Sequence, residues 1–315
     1  MSDTIHGHLL SWYRRHGRHH LPWRETRDPY RIWISEIMLQ QTQVKTVLER
    51  FYFPFLERFP TLQSLAAAPL DDVLKQWEGL GYYTRAKNLH KAAQACTPFM
   101  PETVEGLQRL PGIGKSTAHA VAAFAYNAPV PILDANVKRI LYRFYARREA
   151  DEKTLWKLAE KLFDPAHPFE FNQAMMDIGA TLCLPKTAHC DRCPLQSGCK
   201  AAAGDPLRYP APKQRRTVPV RKRHILVHAD RDRYGLRQRT GRFLHGLWGF
   251  AEALQPPEGA AKRLGSIVQV YSHFRLEADV WLIDGRGEGL EFFSKEETAE
   301  LALSGADHKV LKLLS

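Results

Sequence analysis

Long apolar runs are missing from this 315-residue sequence. Its longest stretch free of acidic and basic residues, Ser116 to Leu133, is rich in alanine rather than leucine and is interrupted by Asn127, Pro129 and Pro131. It reads as a buried helix running into an extended turn, not as a membrane span. The opening Met1-Ser2-Asp3-Thr4 lacks the basic start and apolar stretch of a signal peptide. Internal repeats and low-complexity segments are absent too, and 44% hydrophobic with 25% charged residues exclude a disordered or fibrous chain. The expectation is a soluble, cytoplasmic protein of about two domains, without a membrane partner.

Acidic residues are the scarcer charge. Against 45 Lys and Arg there are 34 Asp and Glu, a formal net charge of +11. That excess predicts an anionic partner, nucleic acid ahead of an anionic membrane.

Cysteine is rare, and its placement is uneven. Of five cysteines, Cys183, Cys190, Cys193 and Cys199 fall within 17 residues with the spacing C-x6-C-x2-C-x5-C, and Cys96 stands alone. A chain of the reducing cytoplasm seldom spends such a cluster on disulfides, so metal or iron–sulfur ligation is the better reading. Four thiolates with one C-x2-C pair suit either tetrahedral zinc or a [4Fe–4S] cube, and spacing alone does not choose. Cys96 is expected to be an inert core residue.

The first 200 or so residues read as mostly helical. Tyr30, Trp33, Ile34, Ile37 and Met38 form one apolar stripe, with Glu36 and Gln40 off it on a face able to open into a cleft. Helical signals follow at 70–77, 85–95, 104–110, 117–126, 137–145 and 154–163, punctuated by Gly79, Gly81, Pro98, Pro101, Pro111 and Pro165. From Pro206 to Arg223 lie seven basic residues (Arg208, Lys213, Arg215, Arg216, Arg221, Lys222, Arg223), four prolines and no acid. This composition predicts a semi-extended basic linker over 201–223. Strand-like runs at 224–228, 265–271 and 274–283, with a terminal helix over 295–314, predict a small α+β domain over 224–315.

Several strings carry chemistry. Leu110-Pro111-Gly112-Ile113-Gly114-Lys115-Ser116-Thr117-Ala118 puts two glycines immediately before a helix, where unhindered N–H groups at a positive terminus can hold a phosphate without reading sequence. Pro131-Ile-Leu-Asp-Ala-Asn-Val-Lys-Arg139 places Asp134 twenty residues after Gly114, directly ahead of a helix it would also suit as an N-cap. Glu36 sits among Trp33, Ile34, Ile37, Met38 and Leu39, where partial burial would raise its pKa.

Together these motifs resemble the endonuclease III, helix-hairpin-helix superfamily of DNA glycosylases. The string Trp33 to Val44 resembles its MutY branch, the adenine DNA glycosylases, almost letter for letter. Leu21-Pro-Trp-Arg24, Gly79-Leu-Gly-Tyr-Tyr83, Phe171 to Gly179 and Cys193 to Cys199 agree with it. The likeness is dense over residues 8 to 200 and thin beyond. It implies an α+β chain: an all-α helix-hairpin-helix glycosylase domain with a [4Fe–4S] loop over 1–200, then the linker, then a small Nudix-like α+β domain. The implied substrate is double-stranded DNA with adenine opposite 8-oxoguanine or guanine, bound by a monomer in the cytoplasm and associated with the nucleoid.

The resemblance also implies roles. Glu36 is the acid that protonates the departing adenine, and Asp134 the carboxylate that stabilises positive charge on the sugar, with Asn136 and Ser116 in the same catalytic group. Where the bifunctional branch carries a nucleophilic lysine, this sequence has Ser116. The neighbouring Lys115 is rotated by about 100° on the helix, toward the phosphates. Water is therefore the expected nucleophile. Trp23 and Arg24 line the adenine pocket, Gln41 and Tyr82 wedge into the duplex, and Gly112, Gly114 and Lys115 take phosphate. Cys183, Cys190, Cys193 and Cys199 ligate the cluster.

Gly241 to Phe250 resembles the Gly-Leu-Trp stretch of Nudix-like folds, but the run of metal-binding glutamates is missing, with only Glu258 between Pro256 and Ile267. That argues against nucleotide hydrolysis by this domain. Tyr271, Ser272 and His273 resemble the MutY loop that inspects 8-oxoguanine. Two rivals stay open: a same-fold mismatch glycosylase with another base preference, such as thymine, and a non-catalytic DNA-binding module.

Overall fold

A computed structural model describes residues 4–212 and 217–314. Lys213, Arg215 and Arg216 of the expected linker lie outside the described residues. The chain forms two compact units: Met1–Val47 with Ala95–Gln214, and Leu48–Gln94 with Arg215–Ser315. Residues 48–94, helical as expected, thus cluster with the carboxyl-terminal sheet.

The helices are α1 (Ile5–His16), α2 (Pro29–Leu39), α3 (Val44–Arg50), α4 (Tyr52–Arg58), α5 (Leu62–Ala67), α6 (Leu70–Gln76) and α7 (Thr84–Cys96). Then come α8 (Val104–Gln108), α9 (Lys115–Tyr126), α10 (Ala135–Phe144), α11 (Glu152–Leu162) and α12 (Pro168–Thr181). Their starts are written locally. Asp28 caps α2 by accepting from Tyr30 N, with Pro29 as the first helical residue, and Asp134 caps α10 by accepting from Val137 N.

In the first unit α2 packs on α9, where Ile32 shares a core cluster with Ala120, Ala123, Phe124 and Ile132. A second cluster gathers Leu9, Leu133, Val137, Leu141, Trp156, Phe171 and Ile178 from α1, α10, α11 and α12. The close approach of α10 to α12 depends on Gly179. A Cβ there would stand 2.5 Å from Asn136 Cβ, a contact that side chains do not make.

The second unit carries a seven-stranded mixed sheet with the order β3-β2-β1-β6-β5, β4 pairing with β1 and β7 with β2. The strands are β1 (Val220–Asp230), β2 (Arg233–Gln238), β3 (Trp248–Gly249), β4 (Ala251–Ala253), β5 (Ala261–Val270), β6 (Arg275–Asp284) and β7 (Glu291–Phe293). Its centre is the parallel pair β1–β6, in register from Val220↔Arg275 to Ala229↔Asp284. Strand β1 therefore takes in Val220 to Arg223, which the composition had assigned to the linker. The terminal helix expected over 295–314 is two helices, α13 (Lys295–Glu300) and α14 (Gly305–Leu311). The interruption has a cause: Ser304 opens a new capping box with Asp307, and Leu303 pairs with Trp248 in an isolated bridge. Among the described residues no helix is long and apolar enough to cross a membrane.

Candidate active site

Most residues singled out in the sequence fall in the first unit: Trp23, Arg24, Glu36, Gln41, Gly112, Gly114, Lys115, Ser116, Asp134, Asn136 and the four clustered cysteines. Tyr82, Tyr271, Ser272 and His273 fall in the second.

Glu36 projects from the last turns of α2. It is half-buried between Ser35 and Ile37, both fully or nearly fully buried. Its carboxyl is pushed up to about 7, first by burial and then by the charge of Asp134, with Arg24 pulling the other way. Asp134 is the N-cap of α10. Burial raises its pKa, opposed by hydrogen bonds: Val137 N–H donates to Oδ1 at 2.7 Å and Asn136 Nδ2 donates to Oδ2 at 3.3 Å. The two carboxyls repel and burial raises both, opposed at Asp134 by its two donors and at Glu36 by the charge of Arg24.

Arg24 sits in a 3-10 turn, Pro22–Arg24, beside buried Trp23. Its guanidinium donates twice to Asp177, at 2.7 and 2.8 Å, and Arg18 Nε donates to the same carboxylate at 2.6 Å. Asp177 is wholly buried on α12. The family string Phe171–Gly179 hinted at this residue, but nothing in its spacing pointed to Arg24.

Between α8 and α9, Gly112 adopts φ +76°, a left-handed conformation that favours glycine. Gly114, the N-cap of α9, has φ −80°, and a Cβ there would meet nothing within 4 Å. Neither backbone nor packing demands a glycine at 114; the open space lies in front of the helix N-terminus. Ser116 is half-buried in the first turn, and Lys115 Nζ lies 4.0 Å from the centroid of the Trp156 ring. The α9 start is tied to α2 through Gln40 Nε2, which donates to Thr117 Oγ1 at 3.3 Å. Gln41 has φ +58° and Tyr82 φ +52°, both left-handed at non-glycine residues. Tyr82 is 45% exposed, so it is not a core aromatic.

Cys183, Cys190, Cys193 and Cys199 line one cavity with Arg143. Buried Leu195 anchors the loop in the same core cluster as Leu141 and Ile178. Burial pushes the Cys193 thiol up to about 12 and raises those of Cys190 and Cys199, and the neighbouring thiols add to each shift. Arg143, 3% exposed, donates to Cys183 Sγ at 3.2 Å and to Leu184 O at 2.8 Å. Among the described residues no three His, Cys, Asp or Glu side chains are grouped so as to hold a metal ion. Arg139 links this loop to α10 and α12: it donates to Cys183 O at 2.7 Å, to Gly179 O at 2.6 Å and to Asn136 Oδ1 at 2.9 Å. Sequence reading overlooked both arginines, since helix-surface cations carry no signal of their long-range partners.

In the second unit a cavity of about 400 Å³ brings Tyr82 together with Tyr271, Ser272 and His273. Phe243, from the Gly-Leu-Trp stretch, supports that turn, its ring 5.0 Å from Tyr271 and 5.4 Å from His273. Ser272 Oγ lies 3.3 Å from His273 Nδ1.

The family described as "HhH-GPD superfamily base excision DNA repair protein" matches residues 34–165. An adenine DNA glycosylase of Buchnera aphidicola subsp. Baizongia pistaciae (strain Bp) is 46% identical over 206 residues, covering 63% of this chain and 58% of the relative. Another, from the subspecies Schizaphis graminum (strain Sg), is 40% identical over 243 residues, covering 74% and 70%. The chain belongs to the adenine DNA glycosylase family. It spans less than two thirds of the first relative's length. Among solved structures, a thermostable thymine-DNA glycosylase is 28% identical with a TM-score of 0.58, covering 62% of this chain and 94% of its own.

Proposed function

We propose that the chain is a monofunctional adenine DNA glycosylase of base excision repair, acting on double-stranded DNA that holds adenine opposite 8-oxoguanine or guanine. The observation that carries this reading is the pair of neighbouring buried carboxyls with different partners, Glu36 raised to about 7 and Asp134 held by two donors. Adenine leaves poorly as an anion. Glu36 gives its proton to N7, the bond from C1′ to N9 breaks, and adenine departs neutral. Asp134 faces the positive charge that develops on the deoxyribose. Water adds to C1′, and its proton returns to the Glu36 carboxylate. The serine at 116 offers no amine to the sugar, and Lys115, one step round the helix, lies over the Trp156 ring, so no β-elimination follows.

Trp23 and Arg24 line the base pocket in this reading, Gln41 and Tyr82 fill the vacated stack, and the Gly112–Lys115 turn takes a phosphate. Ser272 and His273 read the opposite base from the carboxyl-terminal α+β domain, which we take to be Nudix-like without Nudix hydrolysis. The four cysteines fit a [4Fe–4S] cluster: they line one cavity with a buried arginine beside them. Cys183, Cys190, Cys193 and Cys199 would hold it, and its binding would fix the loop whose Cys183 carbonyl accepts from Arg139. We also infer a monomer acting in the cytoplasm, at the nucleoid.

Single-turnover cleavage of duplexes with A:8-oxoguanine, A:G and T:G pairs tests the reading. Release of adenine from the first two, leaving alkali-labile sites and no direct breaks, is the expected result. Release of thymine, or no release at all, would replace it by one of the rival readings.

A further inference from the structure

The α6–Tyr83 segment and the carboxyl-terminal sheet share one unit, and Glu78 is the point where they meet. Its Oε1 accepts from Leu303 N–H at 2.8 Å and lies 2.8 Å from His308 Nε2, while Lys75 Nζ sits 2.9 Å from Oε2. Lys75 also donates to Ala299 O at 2.6 Å and to Leu301 O at 3.1 Å. Tyr83 Oη donates to Leu303 O at 3.1 Å. Five polar contacts thus reach from 75–83 to the end of α13, to the short segment between α13 and α14 and to α14 itself.

That segment has a second side. Trp248 N–H donates to Ala302 O at 2.9 Å, and Ser304 lines the same cavity wall as Tyr271 and Ser272. So residues 299–304 touch the turn that carries Tyr82 on one side and the turn that carries Ser272 and His273 on the other. Both turns line the 400 Å³ cavity. The Tyr82 turn is left-handed at Gly79 (φ +89°), Gly81 (φ +77°) and Tyr82 itself, and its flanks hold it through Trp77 Nε1 and Arg85 Nη2, which both donate to Gly81 O at 3.1 Å. The contacts from 299–304 add a second set of restraints on a backbone that non-glycine residues seldom adopt.

We propose that Glu78 is a positioning residue that fixes the Tyr82 turn in register with the Ser272–His273 turn, and thereby sets the width of the cavity that receives the base opposite adenine. This rests on the reading of that cavity given above. Glu78 touches no substrate. Its carboxylate acts through Leu303, Lys75 and His308, and burial of the group is outweighed by these donors, which hold its pKa below the usual range.

The test uses the full chain with three variants: Glu78→Ala, Tyr82→Ala and the two combined. Hydrogen exchange of the backbone amides at 79–83 reads the register directly. Exchange in Glu78→Ala is expected to quicken at these amides and not in the first unit. Unchanged exchange overturns the proposal, whatever the activity. Single-turnover excision of adenine opposite 8-oxoguanine is the second readout. Losing a charge-assisted hydrogen bond should slow it about tenfold or more in Glu78→Ala, and adding Glu78→Ala to Tyr82→Ala should slow it no further. Fully additive losses would overturn the proposal, because they would mean Glu78 acts elsewhere. Quickened exchange with an inert Tyr82→Ala would uphold the register and remove Tyr82 from the function proposed above. Glu78→Gln, which still accepts from Leu303 N–H, is expected to recover part of both effects.

Discussion

Arg24 grips Asp177 with both terminal nitrogens, 2.7 Å from Oδ2 and 2.8 Å from Oδ1, on a carboxylate that solvent does not reach. Burial alone would raise the pKa of Asp177, but the hydrogen bonds and charge of Arg24, with the charge of Arg18, hold it below the usual range. Removing the charge leaves two guanidiniums without their counter-ion, so Asp177→Asn should cost about 3–5 kcal/mol in urea denaturation at pH 7. Because the native pKa is depressed, that stability exists above the ordinary aspartate range and is lost as pH falls through it. The gap between wild type and variant should therefore shrink in acid. An unchanged gap at low pH would mean the carboxylate contributes packing, not charge.

Glu36 gives the opposite sign. In the proposed reaction its proton is the reactive species, and its pKa is about 7, so single-turnover excision should be level in mild acid and fall as pH rises through neutrality. Glu36→Gln should lose about 10²–10⁴-fold in rate while duplex affinity holds. Stability should move the other way. A carboxyl with a raised native pKa destabilises the fold once it ionises, so the Gln variant should melt above wild type at alkaline pH, with the difference narrowing toward pH 5. Thermal scans across pH check this.

Gly112 and Gly114 are adjacent in motif but different in demand. Gly112→Ala forces a side chain into φ +76° and should lower stability by about 1–2 kcal/mol. Gly114→Ala meets no protein atom within 4 Å, so stability should hold while affinity for any duplex, matched or mismatched, falls. Equal affinity would show that no phosphate approaches the α9 terminus.

Much of this was legible because it is local. The stripe through Tyr30, Trp33 and Ile37 defined α2, and Asp134 was legible as the N-cap of α10. What stayed hidden is long-range. Arg24 and Asp177 lie 153 residues apart, and Arg139 and Cys183 are 44 apart; periodicity carries no record of such partners. The grouping of 48–94 with the sheet was hidden for the same reason, as the contacts of Lys75, Glu78 and Tyr83 are made 220 or more residues downstream. Strands as short as Trp248–Gly249 and Glu291–Phe293 give no alternation to detect.

The cysteine loop predicts a composition. Purified protein should carry about four iron atoms per chain and no stoichiometric zinc. Cys193→Ala should lose the iron, and with it the hold of Cys183 O on Arg139 that reaches Asn136 and Asp134. Excision should then fall together with iron content. Colourless active protein with one zinc would refute the assignment.

The last prediction concerns how the opposite base is read. Adenine is a normal base, so an enzyme that removes it must inspect the partner before acting. The oxidised edge of 8-oxoguanine presents a carbonyl acceptor at C8 and an N7–H donor. A serine hydroxyl has a donor and two lone pairs, which suits that edge, and the imidazole beside it adds one contact. Ser272 and His273 have this chemistry at the end of β5, braced by Phe243 and open to a cavity large enough for a base. Their loss should cost about 1–3 kcal/mol of discrimination, the worth of one specific base contact. Ser272→Ala/His273→Ala should therefore slow excision at A:8-oxoguanine about tenfold or more, while excision at A:G changes little. Because neither side chain is buried, the double variant should keep the wild-type melting temperature, which separates lost recognition from lost fold. Equal losses on both duplexes would mean that this turn holds DNA without reading it.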